Sequence, residues 1–466
     1  MKKPQVAVYQ LVLPEFEAAC QSPLGIGEEP TLGTALEHQA SVAPIDSQSA
    51  DLSLMKQIAS PANLRQACKK VKSNKGSAGI DGMTVDELAQ WLPVHLTTLQ
   101  EQLLTEKYLP TPVKGVKIPK PSGGERQLGI PTVKDRLVQQ AISQILEPMF
   151  DRTFSRSSDG FRPKRSTHDA LKAGAAFVKD GYTIVVDLDL EKFFDRVNHD
   201  ILMERLSRRI TDKTALRLIR RFLTAGMMQE GVCVSSDEGT PQGGPLSPLL
   251  SNILLDELDK ELEKRSHRFC RYADDCNIYV RSQVAGERVM ASITQFLQKR
   301  LKLVVNAKKS AVDVVDQRKF LGYRILRDGR LEISPQSKER FKQRVREITK
   351  RSRGRALRMI CRELRQFLTG WYHYYKLNWA KWMFRDLDGW VRRRVRCYRL
   401  KQCKVPSGIY AFLRSLNTSV RSARALAGSS KGWWHISRSI PSHHAMGYKW
   451  FKSIGVPELV NGCSLS

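Results

Sequence analysis

The chain has 466 residues, with 77 lysines and arginines against 47 acids for a formal charge of +30, and it is 41% hydrophobic and 8% aromatic. That apolar content supports packed cores and excludes wholesale disorder, and the length suggests about three domains. No apolar run approaches the roughly 18 residues of a spanning helix, the start MKKPQVAVYQLVLPEF lacks an export signal's apolar region and cleavage site, and the nine scattered cysteines include no C-x-x-C pair, which disfavours a membrane protein, a disulfide scaffold and a zinc site.

Residues 1–55 carry two lysines and seven acids among Pro, Gly and Ser breaks, and read as a flexible acidic extension. Helical patterning begins near Asn63 (NLRQACKKV), and a second helix is expected over 85–107. VKGVKIPKPSGGERQLGIP (113–131) reads as a hairpin around a Pro-Ser-Gly-Gly turn. Leu137, Ala141, Ile145 and Met149, spaced by four, predict an amphipathic helix over 133–150.

From 182 to 330, β-branched runs (YTIVVDLDL, CNIYV, LVV, FLGYRI) alternate with helical stretches at 199–225, 248–265 and 285–301, a mixed α+β core. In the first run Asp187 and Asp189 share a strand face. In DEGTPQGGPLSPLLSN (237–252) the Gly-Gly pair permits close backbone approach to a ligand, and Ser247 with Pro248 makes an N-cap and first-turn pair. In RFCRYADDCNIYV, Asp274 and Asp275 stand at a turn between apolar stretches. They form either an ordinary turn, in which Asp bonds its own backbone, or two like charges that need a cation. Either strand Asp could meet that pair, and an exposed edge strand accounts for them equally well.

Past Leu331, three basic helical segments are expected at about 335–353, 355–377 and 379–403. Leu357, Cys361, Leu364, Leu368, Trp371 and Tyr375 form one apolar stripe, the core side of a helix bundle. Residues 331–466 hold 29 basic and 7 acidic side chains, a net of +22. Such a surplus calls for a polyanion, and nucleic acid is the commonest.

Asp-x4-Phe-Asp after a strand, then G-T-P-Q-G-G-P-L-S-P-L-L-S-N, then Tyr-Ala-Asp-Asp, in that order, resemble the palm motifs of reverse transcriptases, most closely the group II intron reverse transcriptase/maturase family. The resemblance runs from about Lys70 to the C-terminus. It takes in NKGSAGIDGMT (74–84), IPKPSGGERQLGIPTVKDRLVQQAI (118–142), SSDGFRPKRSTHDAL (157–171), LVVNAKKS (303–310), KFLGYRI (319–325) and ISPQSKERFKQRVREIT (333–349). It implies an α+β right-hand polymerase: fingers and palm over 56–330, a helical basic thumb/maturase domain over 331–404, and a small basic aromatic DNA-binding module over 405–466.

The resemblance also implies roles. Asp189 fits the motif with Phe194 and Asp195 whereas Asp187 does not, so Asp189, Asp274 and Asp275 are the implied catalytic carboxylates, holding two Mg²⁺ ions. Lys120, Arg126, Gln242 and Lys308 are implied nucleotide contacts. Phe194 is the aromatic that would exclude a 2′-hydroxyl, with palm core as its alternative. Arg162, Lys164, Arg165, Arg344 and Arg351 are implied nucleic-acid contacts. Trp433, Trp434, Trp450 and Phe451 either stack on bases or form the core of a small module. With an isolated Cys463 and a His443-His444 pair near its end, the chain resembles the endonuclease-lacking branch. The implied function is copying RNA into DNA from a DNA primer and deoxynucleoside triphosphates, with intron RNA binding, splicing assistance and retrohoming, in a bacterial cytoplasm and at the nucleoid. A domesticated enzyme of DNA repair or phage defence, and a maturase without polymerase activity, are the alternatives.

Overall fold

The computed structural model describes residues 53–119, 125–229, 232–234, 238–240 and 243–463. They form two compact units that divide between Val314 and Val315.

In the first unit, α1 (Leu54–Ile58), α2 (Pro61–Ser73) and α3 (Val85–Leu104) lead into strands β1 (Val113–Pro119) and β2 (Glu125–Ile130) and helix α4 (Val133–Asp151). Local chemistry starts these helices. The Ser60 hydroxyl accepts from the Asn63 N–H ahead of Pro61, and Thr84 with Glu87 closes a reciprocal capping box. The expected hairpin is present, with Lys114 opposite Ile130 and Pro119 opposite Glu125.

Next come α5 (Thr167–Lys179), β3 (Ile184–Leu188), α6 (His199–Ser207), α7 (Lys213–Thr224), β4 (Met227–Gln229) and β5 (Val232–Val234). The stretch expected as one helix over 199–225 is thus two, because the Asp212 carboxylate accepts from the Thr214 and Ala215 N–H groups and begins a new helix. β2, β1, β4 and β5 make one four-stranded sheet in that order. Then follow α8 (Ser247–Lys264), β6 (Arg268–Tyr272), β7 (Asp275–Val280), α9 (Gln283–Phe296) and β8 (Ala311–Val314). Leu246 stands in the N-cap position of α8, so Ser247 lies inside the first turn rather than capping it. Of the expected LVV strand, Val305 makes a single bridge to Leu190.

The second sheet runs β6-β7-β3-β8, every neighbouring pair antiparallel. β7 is buried from Cys276 to Val280, which is why CNIYV reads as a continuous apolar run. Helix α9 lies against the sheet at Gly286, where a Cβ would sit 2.4 Å from Val312. Leu137, Val138, Val186, Leu188, Leu254, Leu258, Ile278 and Ile293 belong to the one core beneath it.

The second unit opens with hairpin β9 (Tyr323–Ile325) and β10 (Leu331–Ile333), followed by α10 (Pro335–Ile348), α11 (Leu357–Tyr375) and α12 (Lys381–Gln402). The hairpin is tied to the helices: the Tyr323 hydroxyl donates to the Tyr374 carbonyl at 2.7 Å, the Trp379 N–H to Leu331 at 2.9 Å, and the Ile333 N–H to the buried Asn378 at 3.0 Å. The expected stripe is core, since Cys361, Leu364, Leu368, Trp371 and Tyr375 are all buried. The Trp371 ring lies 4.4 Å from Phe341 of α10 and 6.1 Å from Phe384 of α12, joining the three helices.

Five short helices complete the unit: α13 (Pro406–Ser415), α14 (Val420–Ala427), α15 (Trp433–Ile436), α16 (Ile440–Ala445) and α17 (Tyr448–Ser453). Leu400, Ile409, Leu413, Ala423, Leu426, Ile436 and Met446 form their core, with Trp433 and Trp450 packed on it. Phe451 is buried and the Arg393 guanidinium stacks on Trp434 at 3.9 Å. Trp433, Trp434 and Trp450 thus keep part of their surface exposed while Phe451 is internal. No described helix is long and apolar enough to cross a membrane.

Candidate active site at the sheet end

Strand register brings the three aspartates to one end of the second sheet. Leu188 pairs with Cys276, so the next position along β3, Asp189, falls beside Asp275 at the start of β7. The β6–β7 turn closes between Tyr272 and Asp275 around Ala273 and Asp274. Asp187 lies two residues back, opposite Asn277 inside the sheet.

The chain around Asp189 is held by the segment 306–310. The Ser310 hydroxyl accepts from the Asp189 N–H at 2.9 Å, and the Asp189 carbonyl accepts from the Asn306 N–H at 2.8 Å. The Lys309 ammonium reaches both carboxylate oxygens of Asp189, at 3.1 and 3.3 Å. The resemblance assigns the neighbouring Lys308 to the incoming nucleotide, not to this carboxylate. Lys308 is exposed, its backbone N–H donating to Asn306, and Lys309 is the residue directed at the carboxylate.

The Tyr-Ala-Asp-Asp turn rests on a buried ionic scaffold that the motif reading missed. Ala273 sits at φ +59°, a conformation that costs an L residue about 1–3 kcal/mol. Its carbonyl accepts from Arg271 Nη1 at 2.9 Å. The fully buried Arg271 grips both oxygens of the equally buried Asp259 on α8, at 2.7 and 2.6 Å, and donates to Asn252 at 3.0 Å. Asn252 in turn donates to the Gly160 carbonyl at 2.9 Å. Gly160 abuts the turn so closely that a Cβ there would lie 2.2 Å from the Ala273 nitrogen. A signal for Asp259 was available: it falls on the face of α8 that buries Leu255, Leu258 and Leu262, where an acid needs a partner.

Phe194 lies in a tight turn, Phe193–Asp195, with its ring half-buried against the core and edge-on to Phe193 at 5.2 Å. The glycine loop pins this turn: the Thr240 N–H donates to the Phe194 carbonyl at 2.7 Å, and Gly239 N–H to Val197 at 2.8 Å. His199 Nε2 lies 2.6 Å from the Gly239 carbonyl. Gly239 has φ +94° and room for no side chain, since a Cβ would stand 3.0 Å from two carbonyl oxygens. At the Gly-Gly pair, the groups in close approach are the Gly129 carbonyl, 2.7 Å from a Cβ at Gly243, and the Gln139 side chain, 2.2 Å from one at Gly244.

Lys120 and Gln242 lie outside the described residues, and Arg126 is described by its backbone, paired with Ile118 in β2. Arg162, an implied nucleic-acid contact, is turned inward. Its side chain is 6% exposed and is consumed by Asp151 at 2.6 Å and by the Ser155 and Ser158 carbonyls at 2.6 and 2.8 Å, so it braces the loop and leaves no phosphate-facing fork. Lys164 is exposed. Arg165 pairs with Asp159 at 3.3 Å, whose carboxyl burial pushes up to about 6. In the second unit Arg344 pairs with Glu347 at 3.0 Å, and Arg351 is exposed with one N–H near the Cys397 sulfur at 3.7 Å.

Among the described residues, no three His, Cys, Asp or Glu side chains converge closely enough to hold a metal ion. The donor set nevertheless suits a hard cation: three carboxylates gathered at one sheet end, one of them bound by an ammonium on both oxygens.

Residues 118–325 match the family model for reverse transcriptase (RNA-dependent DNA polymerase), and residues 338–415 that for the group II intron, maturase-specific domain. Protein YkfC of Escherichia coli K12 is 34% identical over 315 residues, covering 59% of this chain and 83% of YkfC. The chain belongs to the group II intron reverse transcriptase/maturase family. Within that family it is 29% identical over 348 residues to the group II intron-encoded protein LtrA of Lactococcus lactis subsp. cremoris, spanning 59% of this chain and 57% of LtrA. Among solved structures it is similar to apo telomerase from Candida tropicalis, at 12% identity and TM-score 0.42 over 74% of this chain and 69% of that one. Like other members of a reverse transcriptase/maturase family, the chain pairs a polymerase domain with a maturase domain, and both imply RNA and DNA as substrates.

Proposed function

We propose that the protein is an RNA-directed DNA polymerase of group II intron type, which extends a DNA primer along an RNA template from deoxynucleoside triphosphates. It also binds intron RNA, assists its splicing and carries it into DNA at the nucleoid. The observation that supports this best is the register that gathers Asp189, Asp274 and Asp275 at one sheet end within the matched reverse transcriptase segment. Residues 56–330 serve as fingers and palm, 331–404 as thumb and maturase domain, and 405–466 as a small DNA-binding module.

Asp189, Asp274 and Asp275 would hold two Mg²⁺ ions, which supply charge to the attacking and leaving oxygens of an in-line displacement. The chain's own groups orient the reaction. Arg271 fixes the turn carrying two of the carboxylates, Ser310 and Asn306 fix the backbone of the third, and Lys309 places a positive charge beside it. Lys120, Arg126, Gln242 and the exposed Lys308 serve the incoming nucleotide, and Lys164 and Arg351 meet nucleic-acid phosphates.

Asp274→Ala should abolish Mg²⁺-dependent extension of a DNA primer on an RNA template while RNA binding stays within about twofold; undiminished extension would sink the carboxylate assignment. Phe194, pinned through its carbonyl by Thr240, serves as the sugar gate. Phe194→Ala should then raise ribonucleotide incorporation at least tenfold relative to deoxynucleotides, and unchanged discrimination returns Phe194 to the core.

A further inference from the structure

Of the aromatic residues that the sequence singles out near the C-terminus, Phe451 is buried and Trp433, Trp434 and Trp450 are half-buried, yet the second unit exposes two tryptophans more fully elsewhere. Trp379 is 41% exposed and Trp382 is 52% exposed, in the connection from α11 to α12 and the first turn of α12. A tryptophan in water sacrifices a large apolar area that a bundle would otherwise bury. Nothing local requires it: the neighbouring Ala380 and Met383 face inward and are buried.

The connection that presents the rings is rigid. The buried Asn378 accepts from the Ile333 N–H at 3.0 Å and donates to the Ala380 carbonyl at 2.8 Å, and the Trp379 N–H donates to the Leu331 carbonyl at 2.9 Å. Each ring also has a cation beside it. The Arg330 guanidinium stacks 3.9 Å from the Trp379 ring centre and is itself steered by Asp328 at 2.6 Å, while the Lys338 ammonium stands 5.9 Å from Trp382. Lys376, Lys381 and Arg385 are exposed along the same stretch, against Asp386.

We propose that Trp379 and Trp382 form a stacking platform for unpaired nucleotides, with Arg330 and Lys338 backing the rings and Lys376, Lys381 and Arg385 attracting the phosphates. The occupant is single-stranded nucleic acid because the two needs of such a strand, π-faces for bases and positive charge for phosphates, coincide here. A duplex keeps its bases stacked internally and offers them to neither ring. The proposal assumes the protein handles nucleic acid, as its proposed function requires, but not that it polymerises.

The test measures binding by the full chain of a fluorescent single-stranded RNA, its DNA counterpart, and the same RNA annealed into a blunt duplex. Replacing both rings (Trp379→Ala with Trp382→Ala) should weaken single-strand binding at least tenfold, since a stacked base contributes about 1–3 kcal/mol. Duplex binding should stay within twofold, and the salt dependence of single-strand binding should keep its slope because no charge is removed. Trp382→Phe should retain most of the affinity. A greater loss for RNA than DNA, or the reverse, identifies the strand served. Equal losses for single strand and duplex, or none for the single strand, overturn the proposal. So does a double variant whose only change is reduced self-association in sedimentation, which would make the patch a contact between copies. An intact thermal melt excludes misfolding. Loss of extension in Asp274→Ala with the stacking result unchanged would separate this idea from the polymerase reading.

Discussion

Arg271 binds Asp259 through two bonds, Asn252 through one and the Ala273 carbonyl through one, all without contact with water. Removing one member strands a buried charge, so Asp259→Ala should lower unfolding stability by about 3–5 kcal/mol in urea. Replacing both, Arg271→Met with Asp259→Leu, should recover most of that stability while leaving the Ala273 carbonyl unheld. Primer extension should therefore stay low in the restabilised double variant; full activity would mean the pair merely fills space. The aspartates of the candidate site were legible through the order of the motifs that contain them, since an Asp-Asp turn between apolar stretches is by itself an ordinary turn. Their support was not, since an arginine inside a strand reads as surface until its partner on another element is known. Arg162 carries the same lesson in reverse, a motif arginine turned inward by Asp151.

At the level of elements, periodicity located most helices within a few residues, and the misses have local causes. Asp212 divides one expected helix into two by capping the second. The tryptophans of the C-terminal module were ambiguous because short helices lack the length for a clear apolar stripe, and packing between them decides burial. The end of that module is fastened by Asp388 of α12, which accepts from the Leu459 and Val460 N–H groups at 2.9 and 3.0 Å. Burial pushes the Asp388 carboxyl up to about 6 despite those bonds. A carboxyl raised on folding is protonated in the native state at a pH where the unfolded chain has released its proton, so it favours folding less as pH rises from about 4 to 6. Relative to wild type, Asp388→Asn should therefore gain up to about 3 kcal/mol across that interval, the equivalent of two pKa units. Parallel pH profiles of the two proteins in urea unfolding would contradict it.

For the molecule as a whole, charge was the most informative quantity in the sequence, and the fold explains how it is used. Of the five arginines and lysines first marked as nucleic-acid contacts, Lys164 and Arg351 are exposed, while Arg162 is internal and Arg165 and Arg344 are paired with acids. Composition counts these alike; electrostatics does not. Lys164→Ala should reduce the slope of log affinity against log salt for an RNA–DNA duplex by about one contact's worth. Arg162→Ala should leave the slope unchanged and lower the melting temperature instead. Equal effects of the two on the slope would refute that sorting. The division at Val315 was also beyond the sequence, since it depends on a two-stranded hairpin joining the helices that follow it.

The approach of Gly160 to the Ala273 nitrogen has a consequence for how this protein can change over evolutionary time. Two stretches of main chain meet there with no side chain between them, so the height of the aspartate turn above its supporting loop is set by peptide planes of invariant size. Substitutions elsewhere in the core that spare Arg271, Asp259 and Asn252 leave that spacing alone. A lineage could remodel its template, its target and its partners while the position of its chemistry stayed where it began.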